Sequence, residues 1–209
     1  MPGGVETHLD TRDPVQGREG QQEILLAYDK DISKHAPTNE AVRINQVWKS
    51  IPSQLAKENR KFVYGVLRKG ARAKEFETAI QWLLDAGMVY KVERVGKPSM
   101  PLNCYADFSA FKLYMLDCGL LGAMNNRPPA LMLLPNKMEE SKGNFTENFV
   151  CSQLHNCASL SIFYYSKENS TQEVDFVVQH DTEIAAIEVK AEENLQSKSL
   201  KAFHADYPN

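Results

Sequence analysis

The segment that most constrains the fold is Glu173–Lys190, EVDFVVQHDTEIAAIEVK. Two runs of β-branched, aromatic and aliphatic residues flank His180-Asp181-Thr182-Glu183, the composition of a hairpin turn. With Asp181 and Thr182 at the centre, Val178 lies opposite Ala185, Phe176 opposite Ile187 and Asp175 opposite Glu188. Strand alternation then places Val174, Phe176, Val178, Ala185, Ile187 and Val189 on one apolar face, and Asp175, Glu188 and Lys190 on the other. Two carboxylates so opposed repel each other unless a cation lies between them.

That trio suits phosphodiester hydrolysis. Asp175 and Glu188 supply hard oxygen ligands of the kind Mg²⁺ or Mn²⁺ prefers, and a bound metal lowers the pKa of its water and stabilises charge on a phosphate. Lys190 would orient that water or stabilise the pentavalent charge. Glu147, on the helix that precedes the strands, would add a further carboxylate. The catalytic set expected from sequence is therefore Asp175, Glu188, Lys190 and Glu147, with Asp175 and Glu188 as metal ligands.

Upstream, residues 1–20 read as an irregular polar arm and Gln21–Lys34 as a helix with Ile24, Leu25, Tyr28 and Ile32 at helical spacing. A helix from Thr38 or Asn39 to Ser50, a short one opened by Pro52, and a third over Arg72–Gly87 with Phe76, Ile80, Leu83 and Leu84 on one face follow in turn. Met88–Val95 and Leu102–Asp107 then read as a two-stranded ribbon, and Phe111–Asp117 as another strand leading into CGLLGAM. Three helices and a ribbon make a winged helix, a fold that docks on DNA or on protein partners. Asn125–Lys137 reads as a proline-rich linker. Met138–Cys157 is expected to be helical, with Phe145, Phe149, Val150 and Leu154 buried and Gly143 allowing close packing. Strands at SIFYYS, EVDFVVQ and EIAAIEVK and a last helix over Asn194–Tyr207 complete the chain. The fold class expected is α+β, with an arm and linking helix at 1–38, a winged-helix domain at 39–124 and a second α/β domain at 125–209.

Charge adds a nucleic-acid expectation. The 209 residues carry a net charge of −3, yet residues 41–74 hold nine basic side chains against Glu58 alone, so the window is +8. A solvated helical surface would also carry such charge. As a footprint for phosphate backbones, the candidates are Arg60, Lys61, Arg68, Lys69, Arg72 and Lys74. Cys104, Cys118, Cys151 and Cys157 lack metal-ligand spacing and read as buried small hydrophobes. With no apolar run of spanning length and no signal-peptide core, the expectation is a cytoplasmic protein without membrane contact. The sequence leaves its oligomeric state open.

EVDF…IEVK resembles the motif of the PD-(D/E)XK nuclease superfamily, with Asp175, Glu188 and Lys190 in the places of the Asp, the Glu and the Lys. Glu147 in GNFTENFV is similar to the glutamate that many members carry on their first core helix. VWKSIPSQLAKENRKFVYGVL, AIQWLLDAGMVYKV and FKLYMLDCGLLGAM resemble the C-terminal half of a large family of prokaryotic AAA-type ATPases, a winged helix followed by a nuclease-like domain of unknown function. The resemblance implies a restriction-endonuclease-like fold for 125–209, a Mg²⁺ or Mn²⁺ cofactor and DNA as partner. GxxxxGK[ST] does not occur, so no ATP site is expected in this chain. MPGGVETHLDTRDP resembles the family's stretch just after the ATPase module. Nuclease folds of this type add a strand after the last helix, so the chain reads as a fragment with an unpaired sheet edge. Two functional readings stand side by side: a metal-dependent nuclease, and a non-enzymatic module that binds DNA or protein on an inactive nuclease fold.

Overall fold

The computed structural model describes residues 14–57, 59–126, 139–157, 159–168, 172–190 and 197–208. These form a mixed α+β fold with six α-helices: α1 (Pro14–His35), α2 (Ala41–Leu55), α3 (Glu77–Asp85), α4 (Cys118–Met124), α5 (Glu139–Asn156) and α6 (Lys198–Asp206). Five strands, β1 (Val89–Val95), β2 (Ala106–Met115), β3 (Ser161–Ser166), β4 (Glu173–His180) and β5 (Glu183–Ile187), make one sheet in the order β2-β1-β3-β4-β5. Every neighbouring pair is antiparallel except β1 and β3, which run parallel. The helical N-terminal part and the strands after residue 160 thus share a single sheet.

The helices follow from spacing. Ile44, Val47, Trp48, Ile51 and Leu55 recur every three or four residues along α2 and are all buried. Tyr28 of α1 meets Trp48 edge to face at 5.9 Å. Residues 14–20, expected to be irregular, form the first turns of α1 despite Gly17 and Gly20; Pro14 stands at the first helical position, and Arg18 is buried with its Nη1 donating to Gly119 O at 3.3 Å. Pro52 does not open a second helix but lies inside α2, which continues one turn to Leu55. A proline there forgoes its own N–H bond one turn back and crowds the carbonyl of Trp48, a cost that the burial of Ile51 and Leu55 offsets. The Arg72–Gly87 segment divides into a 3-10 turn at Ala73–Glu75 and α3, and Gly87, at φ +66°, closes it as expected.

The ribbon differs from the expected pair of strands plus a third. Leu102–Tyr105 is a 3-10 turn, and Ala106–Met115 is one strand. Between Glu93↔Phe111 and Arg94↔Asp107 three residues of β2, Phe108–Ala110, have no opposite number. The Asp107 carboxylate causes this excursion, because it accepts from the Ser109 N–H and Oγ at 2.9 and 2.6 Å and from Arg94 Nη2 at 2.6 Å.

Two cores lie on opposite sides of the sheet. The larger joins α1–α4 and part of α5 to Val89, Val92, Leu113, Tyr164, Phe176 and Val178, and the smaller gathers Val95, Leu102, Phe163, Tyr165, Val174 and Val177 under Phe203 of α6. Of the four free cysteines only Cys151 is fully buried, while Cys104 and Cys157 are exposed, so burial accounts for one and not for all. Among the described residues nothing pairs with the outer edge of β5, and no helix is long and apolar enough to cross a membrane. The linker expected at 125–137 lies almost wholly outside the described residues.

On α5 the apolar stripe expected from sequence packs on the core at Phe145, Val150 and Leu154, each partly buried, but not at Phe149, which is half exposed. The most enclosed of its described side chains are Glu147, Asn148 and Cys151. Asn148 clamps β2: its Oδ1 accepts the Met115 N–H at 2.8 Å and its Nδ2 donates to Met115 O at 3.0 Å. Asn148→Leu keeps the volume but orphans both backbone groups. We expect it to cost about 2–4 kcal/mol in urea unfolding, the range for stranding two buried backbone partners; a loss under half a kcal/mol would mean that water reaches this strand.

Candidate functional site

The hairpin register is the one that the turn dictates: Phe176↔Ile187, Val177↔Ala186, Val178↔Ala185 and His180↔Glu183. The facing of Asp175 is not. On β3 the pairing steps two residues, from Phe163 to Tyr165, while on β4 it steps three, from Val177 to Val174. The extra residue is a β-bulge, which breaks the alternation locally. Val174 and Val177 serve the core under α6, whereas Asp175 joins Phe176 on the side of α5. The expected single face of Val174, Phe176 and Val178 is therefore split by the bulge. Asp175 also ends the ladder, for its Oδ2 accepts the Val189 N–H at 2.8 Å.

The space between Glu147 and Asp175 is taken by the Arg60 guanidinium. Glu147 is almost wholly buried, at 1% exposure, and both its oxygens are taken. Oε2 is bound by Arg60 Nη1, while Oε1 accepts from the Tyr114 hydroxyl and from Lys112 Nζ, the latter at 3.3 Å. Lys112 has no exposure; it also pairs with Glu173 Oε1 at 2.7 Å and sits 4.9 Å over the Tyr164 ring. Arg60 Nη1 reaches Asp175 Oδ1 at 3.7 Å, and its Nε donates to Asn144 Oδ1 at 3.2 Å. A Cβ at Gly143 would stand 3.1 Å from the guanidinium, so the glycine lets Arg60 lie against α5. Glu188 Oε1 is bound by Lys190 Nζ at 2.6 Å, and Glu188 Oε2 is buried with no partner among the described residues.

Burial, and next the charge of Glu147, push the Asp175 carboxyl up to about 7 against the opposing pull of Lys112. For Lys112, desolvation works against the ammonium, but Glu147, Glu173 and Asp175 outweigh it and hold the pKa above the ordinary lysine value. Tyr114 is driven well above the usual phenol by burial and by Glu147, so its hydroxyl stays a donor. Among the described residues no three His, Cys, Asp or Glu side chains are grouped closely enough to hold a metal. As the pocket stands, Glu147 offers no free oxygen to a cation and Lys190 is engaged by Glu188, while Asp175 Oδ1 meets the Arg60 guanidinium at 3.7 Å.

The basic candidates separate in the same way. Arg60, expected to meet phosphates, points into the acidic network, and Lys61 is half-buried. Arg68, Lys69, Arg72 and Lys74 are exposed together on the turn around Gly70, which takes φ +78°. Glu75 stands among them; the Arg72 N–H, donating at 2.9 Å, and the Arg68 guanidinium hold its carboxyl below the usual range. Sequence reasoning missed Lys112 and Tyr114. The signal was a lysine within the apolar run Phe111–Met115, since a charge inside a buried strand requires a partner.

The fold and this network define an α+β protein whose two ends are joined by a sheet and by buried charge. The chain belongs to the family described as Domain of unknown function (DUF8612), whose model matches residues 1–131. Residues 142–209 match a second model, Domain of unknown function (DUF4143). No curated protein and no solved structure gave a match. Arg60, Lys112 and Tyr114 come from the first matched region, and Glu147, Glu173 and Asp175 from the second.

Proposed function

We propose that this chain is a non-catalytic interaction module from the C-terminal region of an AAA-type ATPase family protein. Its winged-helix-like part presents a basic turn to nucleic-acid phosphates, and its PD-(D/E)XK-like part serves as scaffold. The observation that carries the reading is the Glu147 carboxylate filled by Arg60, Lys112 and Tyr114. The DUF4143 match supports the placement, because that domain is typically associated with C-terminal regions of AAA-type ATPases. A second reading, a Mg²⁺- or Mn²⁺-dependent nuclease in the cytoplasm, is favoured by one feature, the buried Oε2 of Glu188, which has no partner among the described residues. A cleavage assay on single- and double-stranded DNA with millimolar Mg²⁺ or Mn²⁺ separates the two. The module reading expects wild type and Glu188→Ala to be equally inactive, and metal-dependent cleavage abolished by Glu188→Ala would overturn it.

The basic turn makes its own prediction. Arg68, Lys69, Arg72 and Lys74 bind phosphate backbones without sequence preference, through counterion release. Arg68→Glu with Arg72→Glu should weaken binding more than about tenfold on every sequence and flatten the log K against log salt slope by about 2, at −0.9 per phosphate. Fluorescence anisotropy across a salt series reads both. Unchanged affinity would leave this turn as a surface for protein partners.

A further inference from the structure

The acidic pocket can be followed oxygen by oxygen. Glu147 Oε1 is held by Lys112 and Tyr114, and Asp175 Oδ2 by the Val189 N–H. The other oxygen of each, Glu147 Oε2 and Asp175 Oδ1, faces a single nitrogen, Nη1 of Arg60. The two cations of the network are not equivalent. Lys112 is fixed by the pairing of β2 and has no exposure. Arg60 stands on the loop after α2 at φ +51°, and its side chain keeps 19% exposure, so it closes the pocket from the solvent side. Withdrawing it would leave two hard oxygens facing water, a set that Mg²⁺ or Mn²⁺ can complete with its own waters.

We propose that Arg60 is a built-in counter-ion whose guanidinium takes the place of a divalent cation between Glu147 and Asp175, so that its presence there and divalent-cation binding exclude each other. The inference deepens the module reading and rests on it: the pocket is inert because the chain supplies its own cation from the first matched region. Arginine suits the role, since its planar fork stays charged and can bridge two carboxylates while Nε holds Asn144.

The test uses the full chain at pH 8, with thermal melts and electron paramagnetic resonance of free Mn²⁺. Wild type and Arg60→Lys should show no Mn²⁺-dependent rise in Tm at millimolar metal. Arg60→Gln should be less stable without metal and should gain both a Mn²⁺-dependent rise in Tm and a bound fraction of Mn²⁺. Adding Asp175→Asn to Arg60→Gln should abolish that gain. If Arg60→Gln does not fold alone, folding on addition of Mn²⁺ supports the proposal, and failure to fold with Mn²⁺ overturns it. No gain in a folded Arg60→Gln overturns it as well, and leaves the module reading intact if wild type remains inactive on DNA. Mn²⁺ bound by wild type and lost with Asp175→Asn also overturns it, and metal-dependent cleavage would then remove the module reading too.

Discussion

Glu147→Ala should destabilise the folded chain by about 3–5 kcal/mol, the range for removing one partner from a buried ion pair. The cost comes less from the lost attraction than from what stays behind. Lys112 would remain without exposure, its ammonium opposed only by Glu173 and by the weak influence of Asp175. Arg60 would keep its hydrogen bond to Asn144, but its only remaining carboxylate contact would be Asp175 at 3.7 Å. Two companions locate the effect. Glu147→Gln keeps one oxygen for the Tyr114 hydroxyl but loses the charge and the acceptor that faces Arg60, so it should be clearly destabilised and still fall between wild type and Ala. Lys112→Met in the Glu147→Ala background removes the stranded ammonium and should recover a large part of the loss. Urea unfolding in a double-mutant cycle measures the coupling. Additive losses would mean that the two charges do not sense each other.

Asp175→Asn should act in the opposite direction. Folding raises this carboxyl from 3.8 to about 7, so the folded state binds the proton more tightly than the unfolded one. The favourable contribution is complete below pH 4 and is lost as pH rises through 7, a total of about 4 kcal/mol from the size of the shift. Asparagine keeps an oxygen for the Val189 N–H and cannot ionise. The variant should therefore match wild type near pH 4 and exceed its stability by about 4 kcal/mol at pH 8. The difference curve between the two proteins isolates this group from other titrations. A flat difference between pH 4 and pH 8 would place the carboxyl in an ordinary aqueous environment.

Sequence carried much of the fold and half of the site. The β4–β5 register followed from one turn, and Gly87, β1 and the span of α5 followed from local composition. Local composition misled at Pro52, where tertiary burial of Ile51 and Leu55 carries α2 past the proline. The bulge at Asp175 was illegible because it depends on β3, a strand outside the hairpin. Alternation alone put Asp175 directly opposite Glu188, but the ladder stops at Phe176↔Ile187. The charge of Glu188 still acts on Asp175, yet the carboxyl also meets Arg60, Glu147 and the Val189 amide, which alternation did not indicate. Arg60 was read with the basic block around it, since nothing local distinguishes an arginine that turns inward. Its partners lie more than eighty residues away, on α5 and β4.

The parallel pairing of β1 with β3 spans only Glu93↔Phe163, Arg94↔Tyr164 and Val95↔Tyr165. Those partners lie about seventy residues apart in the chain, so closing that junction costs loop entropy that neither hairpin meets when it forms by itself. On that ground the β1–β2 and β4–β5 ribbons should form first, with the junction limiting the rate of folding. A chain cut between residues 126 and 139 would leave each piece with a raw strand edge where it had a neighbour, and with buried charges of a single sign. Such pieces should aggregate apart and regain solubility only when refolded together.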